Sequence, residues 1–211
     1  MTAPDVRIHP TADVEDGVEI GARTAVWADV HVRGPARIGR DCIVGEKTYI
    51  GPDVTIGNLV KLNAMVYLPL GVTLRDGVMI GAGTIFTNDR YPRGTDVAIT
   101  ELRDSGPGEH IFETLVEEGA SIGAGCTIGS NIVVGRWSLV GMGTVVARDV
   151  KPFHLVVGNP ARSIAILCRC GEPVWRFPHA EPPASDERPC PACGLRYKVH
   201  EGDVEELDPP S

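Results

Sequence analysis

An aliphatic residue returns every six positions along most of this 211-residue chain. From Ile8 the column runs through Val14, Ile20, Val26, Val32, Ile38, Val44, Ile50, Ile56, Leu62, Leu68, Leu74 and Ile80 to Phe86. Pro92, Ala98, Asp104 and His110 break it, and it resumes in the same phase at Val116, Ile122, Ile128, Val134, Val140 and Val146. Four residues after each aliphatic stands a small or β-branched residue, such as Ala12, Thr24, Thr48, Val54 and Ala120. Cys42 and Cys126 occupy this second column and read as buried fillers. A period of six fits neither a helix, at about 3.6, nor a simple strand, at about 2. It fits one short strand plus one turn. Three such units close a triangular coil, and stacked coils pair their strands in parallel. The expected fold is all-β, a parallel β-helix of hexapeptide repeats over residues 8–151.

Composition agrees with many tight turns, since the chain holds 25 Gly and 17 Pro and few aromatics. No apolar run is long enough to span a membrane, and Met1–Pro10 lacks the pattern of a signal peptide. A cytoplasmic protein is expected, with no membrane partner. The formal charge is −8, and five of the acids sit after Lys198. The nearly balanced body excludes a nucleic-acid partner, which would need clustered positive charge. Residues 90–115 leave the repeat and are expected to project as a loop that helps build a site. Residues 152–167 are expected as a C-terminal connector, 168–198 as a small zinc-ribbon-like module, and 199–211 as an acidic disordered tail.

The segment Phe86-Thr87-Asn88-Asp89-Arg90-Tyr91-Pro92-Arg93 sharpens the reading. With Ile8-His9-Pro10-Thr11-Ala12 and Val156-Val157-Gly158-Asn159-Pro160-Ala161-Arg162, it resembles the hexapeptide-repeat N-acetyltransferases that act on nucleotide-linked 3-amino sugars. The resemblance covers roughly residues 8–170. It implies a left-handed coil, a homotrimer, acetyl-CoA as donor and a nucleotide-sugar acceptor. It also implies that Asn88 contacts the sugar amine and that the departing thiolate can take up the proton.

Acetyl transfer from a thioester to an amine needs an aimed amine, a stabilised oxyanion and a route for one proton. Asn88 is the candidate orienting group and Asp89 a proton acceptor or orienter. Lys61, Arg90 and Arg93 are candidate nucleotide-sugar contacts. Arg148, Lys151 and Arg162 are candidate CoA contacts, and the turn glycines Gly123 and Gly141 could let pantetheine approach the backbone. Among the histidines only His110 is placed to approach a loop-built site.

Cys168-Arg169-Cys170-Gly171 and Cys190-Pro191-Ala192-Cys193-Gly194 have the spacing of two metal knuckles. Cys168, Cys170, Cys190 and Cys193 are expected to hold a structural zinc, because four thiolates leave no open position for catalysis. Three rivals are weighed. A β-helix carbonic anhydrase needs a three-histidine metal site, and no hexad-spaced histidines exist. Transfer to a sugar hydroxyl would more strongly require a base. A non-catalytic scaffold binding a partner through the zinc ribbon leaves the Asn88 segment unexplained.

Overall fold

Each hexad forms a strand of two or three residues followed by a corner, and three strands make one coil. The computed structural model describes residues 5–103, 112–177 and 181–210. No helix occurs among the described residues. The three faces of the resulting parallel β-solenoid hold ten, seven and six strands. Leu62 lies beside Val44 on one side and Ile80 on the other, so one coil consumes 18 residues. Across the interruption Ile80 pairs with Ile122, 42 residues on, which is one coil plus four hexads. The excursion therefore leaves the stack and returns to it without disturbing the phase.

The strand Lys61–Leu62 shows how the pattern works. Lys61 points out and is exposed, while Leu62 points in and is buried. The aliphatic column is buried from Ile20 to Val146. Ile8, placed inside by the period, is 39% exposed because it belongs to the first coil at the end of the stack. Buried threonines of the second column satisfy themselves along the stack. Thr24 Oγ1 donates to Gly39 O at 2.8 Å and accepts from Cys42 N at 3.0 Å. Cys42 and Cys126 are buried in the same column. Glycine is required where coils touch most closely, and a Cβ on Gly39 would lie 2.4 Å from Gly57 O.

Leu68 is fully buried in this narrow interior. Leu68→Ala is expected to cost about 2–5 kcal/mol, because stacked coils cannot collapse into the space it leaves. Denaturant unfolding would register the loss as a lower midpoint with an unchanged slope.

The C-terminal third departs from the sequence expectation. Residues 152–167 are not a mere connector. His154–Val157 continues the ten-stranded face in parallel with Leu139–Val140, and Arg162–Leu167 returns antiparallel to it. Pro173–Arg176 adds the last strand of that face. Nor do residues 199–211 form a disordered acidic tail over their length. Arg196–His200 pairs with Ser185–Pro189 and with Asp203–Glu206 in a three-stranded antiparallel sheet. Three of the five acids that suggested disorder, Asp203, Glu206 and Asp208, are partnered. Asp203 takes Lys151 at 2.8 Å, and Glu206 takes the Arg169 fork at 2.6 and 2.8 Å. A second core of Phe153, Ile166, Trp175, Phe177, Tyr197 and Val199 joins this module to the last coil. The module thus covers an end of the stack that would otherwise leave apolar surface and strand edges open.

Candidate active site and candidate metal centre

The excursion starts at the corner between the seven- and six-stranded faces, after Ile85–Phe86 and before Thr114–Val116. Its neck is closed by Phe112 N donating to Asn88 O at 3.1 Å. Asn88 Nδ2 donates to Leu70 O of the preceding coil at 3.2 Å. Thr87 N donates to Ile128 O of the following coil at 2.9 Å. Asn88 is therefore held between two coils, half-buried, and among the described residues no donor takes its Oδ1. Asp89 Oδ1 accepts Tyr91 N at 2.8 Å, which turns the chain outward.

Farther out, Thr95 and Leu102 form an antiparallel bridge, and the Asp96 carboxylate accepts Thr100 N at 2.8 Å and Thr100 Oγ1 at 2.7 Å. These bonds hold the Asp96 carboxyl below the usual carboxylate range. The sequence-predicted loop 90–115 includes residues 104–111, and His110 with them, that lie outside the described residues.

Below the neck lies a cleft of about 620 Å³. Thr87, Asp89, Arg90 and Tyr91 line it from the excursion, Gly129–Ile132 from the next coil, and Ala147–Asp149 from the one after. A second cleft of about 590 Å³ lies between the last coil and the C-terminal module. Arg148, Lys151 and Arg162 all line it, together with His154 and the turn at Glu201-Gly202. Residues 147–149 border both clefts. The two clefts adjoin at these residues, the first at the corner below the excursion and the second at the end of the stack.

The structure thus sets Asp89, Arg90 and Arg148 on one cleft and Arg148, Lys151 and Arg162 on the other, while Asn88 adjoins the first cleft in the chain without being among the residues that line it. Other predicted residues fall elsewhere. Lys61 stands on the ten-stranded face between Ile43 and Met79. Arg93 donates to the neighbouring Pro92 O and does not line the cleft. Gly123 and Gly141 sit at the corner between the ten- and seven-stranded faces, and their role there is steric. A Cβ on Gly123 would come 2.6 Å from Met142 N, and one on Gly141 would come 2.7 Å from Val157 Cγ1. Lys151 borders the groove, but its ammonium is committed to Asp203 and, at 3.4 Å, to Glu201 O.

Sequence reasoning passed over Ser130 and Asn131 and set His154 aside with the other histidines. The first two line the cleft opposite Asp89, and Asn131 adopts φ 56° at its corner. His154 gave no signal at all. It is buried, with Nδ1 2.6 Å from Ser163 Oγ and Nε2 2.8 Å from Gly202 O. Burial pushes its pKa down from 6.5, outweighing the Gly202 carbonyl that pulls the other way.

Four sulfur atoms meet in the module. Those of Cys168, Cys170, Cys190 and Cys193 lie within 4.8 Å of one another. The close pairs are Cys168–Cys193 at 3.4 Å and Cys170–Cys190 at 3.6 Å. A disulfide needs about 2.05 Å, so these are thiols. Tetrahedral zinc with bonds of about 2.3 Å sets sulfurs about 3.8 Å apart, which this spread brackets. Each knuckle turns at a glycine, with φ +90° at Gly171 and +80° at Gly194. Burial pushes the Cys168 thiol up to about 12, whereas at Cys190 amide donors from Cys193 and Ala192 outweigh burial and bring the thiol to about 7. Four sulfur donors at this spacing fit a four-thiolate metal.

Comparison with known proteins gives matches along the chain. A family model described as "Hexapeptide repeat of succinyl-transferase" matches residues 50–88 and 114–148. The dTDP-3-amino-3,6-dideoxy-alpha-D-galactopyranose 3-N-acetyltransferase of Aneurinibacillus thermoaerophilus is 36% identical over 200 residues, covering 95% of this chain and 94% of the relative. The bifunctional protein GlmU of Rubrobacter xylanophilus is 27% identical, covering 75% of this chain but only 41% of its own length. Among solved structures, a variant of AntD, an N-acyltransferase from Bacillus cereus in complex with dTDP and coenzyme A, is 21% identical. It covers 80% of this chain and 84% of its own, with a TM-score of 0.46.

Proposed function

We propose, for a chain that belongs to the hexapeptide-repeat N-acetyltransferases of nucleotide-linked amino sugars, that it moves an acetyl group from acetyl-CoA to the amino group of such a sugar. What carries this reading is the near-full-length similarity to a 3-N-acetyltransferase of a dTDP-linked amino sugar. The adjoining clefts give the reaction a place. Successive parallel strands are about 4.8 Å apart, so Arg148, two coils on from the excursion, lies about 10 Å along the stack from it. That suits an extended donor with its thioester near Asn88 and its phosphates near Arg148 and Arg162.

In this arrangement Asn88 Oδ1 accepts a hydrogen bond from the sugar amine and aims the nitrogen lone pair at the thioester carbonyl. Attack forms the C–N bond and a tetrahedral oxyanion. Collapse breaks the C–S bond and releases the CoA thiolate. The amine proton leaves to Asp89, or to the thiolate itself. Arg90 binds phosphate of the nucleotide sugar at the rim. Lys61 lies on a different face from Asn88, so a site that includes both takes Lys61 from a second copy. A homotrimer supplies that arrangement.

Zinc in the four-cysteine cluster is structural in this reading, because the cluster contains no ligand other than thiolates. A reducing, cytoplasmic setting belongs to the same proposal, since thiolates hold a metal only while they stay reduced.

The test is thiol release from acetyl-CoA against a panel of nucleotide-linked amino sugars and their hydroxyl counterparts. Turnover with amino sugars alone is the expected result. Turnover with the hydroxyl sugars alone would replace N- by O-acetylation, and no consumption with any acceptor would remove the enzymatic reading.

A further inference from the structure

The C-terminal module does more than cover the end of the solenoid. Its turn Glu201-Gly202-Asp203 stands over the last coil and forms one side of the cleft that holds Arg148 and Arg162. Two bonds fix the turn there. Lys151 Nζ reaches Asp203 at 2.8 Å, and His154 Nε2 meets Gly202 O at 2.8 Å. The same turn is tied to the cysteine cluster through the strands on either side of it. Tyr197, on the strand entering the turn, donates its hydroxyl to Cys168 Sγ at 3.2 Å. Glu206, on the strand leaving it, receives both arms of Arg169, which lies between Cys168 and Cys170. That pair is poorly exposed, 8% for the Glu206 side chain, and Arg169 also stacks on Trp137 at 4.8 Å. Position therefore passes from the metal knuckle to the turn, and from the turn to the cleft wall.

The cleft's chemistry suits a phosphorylated ligand. Arg148 and Arg162 make no salt bridge among the described residues. Of the carboxylates at its border, Asp149 accepts Val133 N at 2.8 Å, while Glu181 and Glu201 lie on the module side.

We propose that the metal-held module is a working wall of the donor site. The cleft between the last coil and the turn 201–203 takes the phosphoadenosine end of the acyl donor, with Arg148 and Arg162 on its phosphates. Lys151 and His154 are positioning residues that latch the wall. This rests on the acetyl-CoA reading above. It adds that metal occupancy sets donor affinity from a cluster that never touches the donor.

The experiment titrates adenosine 3′,5′-bisphosphate into metal-loaded protein, chelator-treated protein, Glu206→Gln and Arg162→Ala, with binding read by calorimetry. In parallel, KM and kcat are measured with acetyl-CoA and with S-acetylpantetheine, which lacks the nucleotide. The loaded protein is expected to bind the bisphosphate. Both variants and metal removal weaken it about tenfold, as expected for losing one charged hydrogen-bonding partner or the wall that positions it. The KM for acetyl-CoA rises in step, with S-acetylpantetheine kinetics unmoved, a split that general unfolding would not give. Among the described residues the Arg162 side chain bonds only the Ala161 carbonyl, so Arg162→Ala tests the cleft while leaving the module's own bonds in place.

Equal bisphosphate binding by all four proteins overturns the proposal. So does acetyl-CoA turnover by a loaded protein that does not bind the bisphosphate, and in that case the acetyltransferase reading stands. A loaded protein that binds the bisphosphate but never consumes acetyl-CoA keeps the cleft and removes the acetyltransferase reading.

Discussion

Asn88→Ala is expected to lower kcat/KM for N-acetyl transfer by about 10²- to 10³-fold, the usual effect of removing a group that aims a reactant or stabilises its transition state. The fold should survive. Asn88 contributes one side-chain bond to the stack, to Leu70 O, and the neck is also held by its backbone carbonyl and by Thr87 N. Melting and oligomeric state should therefore stay near wild type while turnover collapses. Asn88→Asp is the sharper companion. It keeps an acceptor oxygen, but a carboxylate cannot donate to the Leu70 carbonyl. Partial activity in Asn88→Asp with little in Asn88→Ala would assign the acceptor role to Oδ1. Wild-type turnover in Asn88→Ala would remove Asn88 from the site.

Removal of the metal is expected to have the largest structural effect. Structural four-ligand zinc sites contribute about 10–16 kcal/mol of apparent binding free energy, which is large beside what a core as small as this module's supplies. The Cys168 and Cys190 sulfurs lie inside the second core, against Tyr197 and Phe153, so losing the metal leaves buried thiols held apart by nothing covalent. The solenoid has its own core, which contains none of these residues. Chelation, or Cys190→Ser, should therefore abolish amide protection over Ser185–Pro189 and Arg196–Glu206 while Val44, Leu68 and Ile80 stay protected. Hydrogen exchange reads both regions in one experiment. Unchanged protection in the hairpin after complete metal removal would show that its own packing suffices. Metal content below one atom per four cysteines in protein purified without chelator would count against the site itself.

Much of the architecture was legible in the residues. The six-residue column named the interior side chains one by one, and Leu62, Leu68 and Ile80 are among those the structure buries most completely. The cysteine spacing named four sulfurs that the structure brings together. The acidic end was misread for a definite reason. Composition registers Asp203, Glu205 and Glu206 as solvated charge, whereas the alternation around Val204 and the distant cations Lys151 and Arg169 make a strand of it. Gly123 and Gly141 were read for what a missing side chain permits a ligand. The structure shows what it permits the next coil, since Met142 and Val157 already occupy that space.

The period of six by itself determined a coiled, parallel, all-β body, because each hexad settles locally which residue is inside and where the chain turns. The hand of the coil came from resemblance. Which corner gathers the chemistry was decided only in three dimensions. Asp89 and Arg148 share a cleft because coils stack at 18-residue intervals and the excursion re-enters where it left, and Arg162 lines the adjoining cleft with Arg148. Lys151 meets Asp203 across 52 residues, and His154 meets Gly202 across 48. Pairings of that range depend on how the last coil and the module pack together, and they leave no periodic trace in the chain.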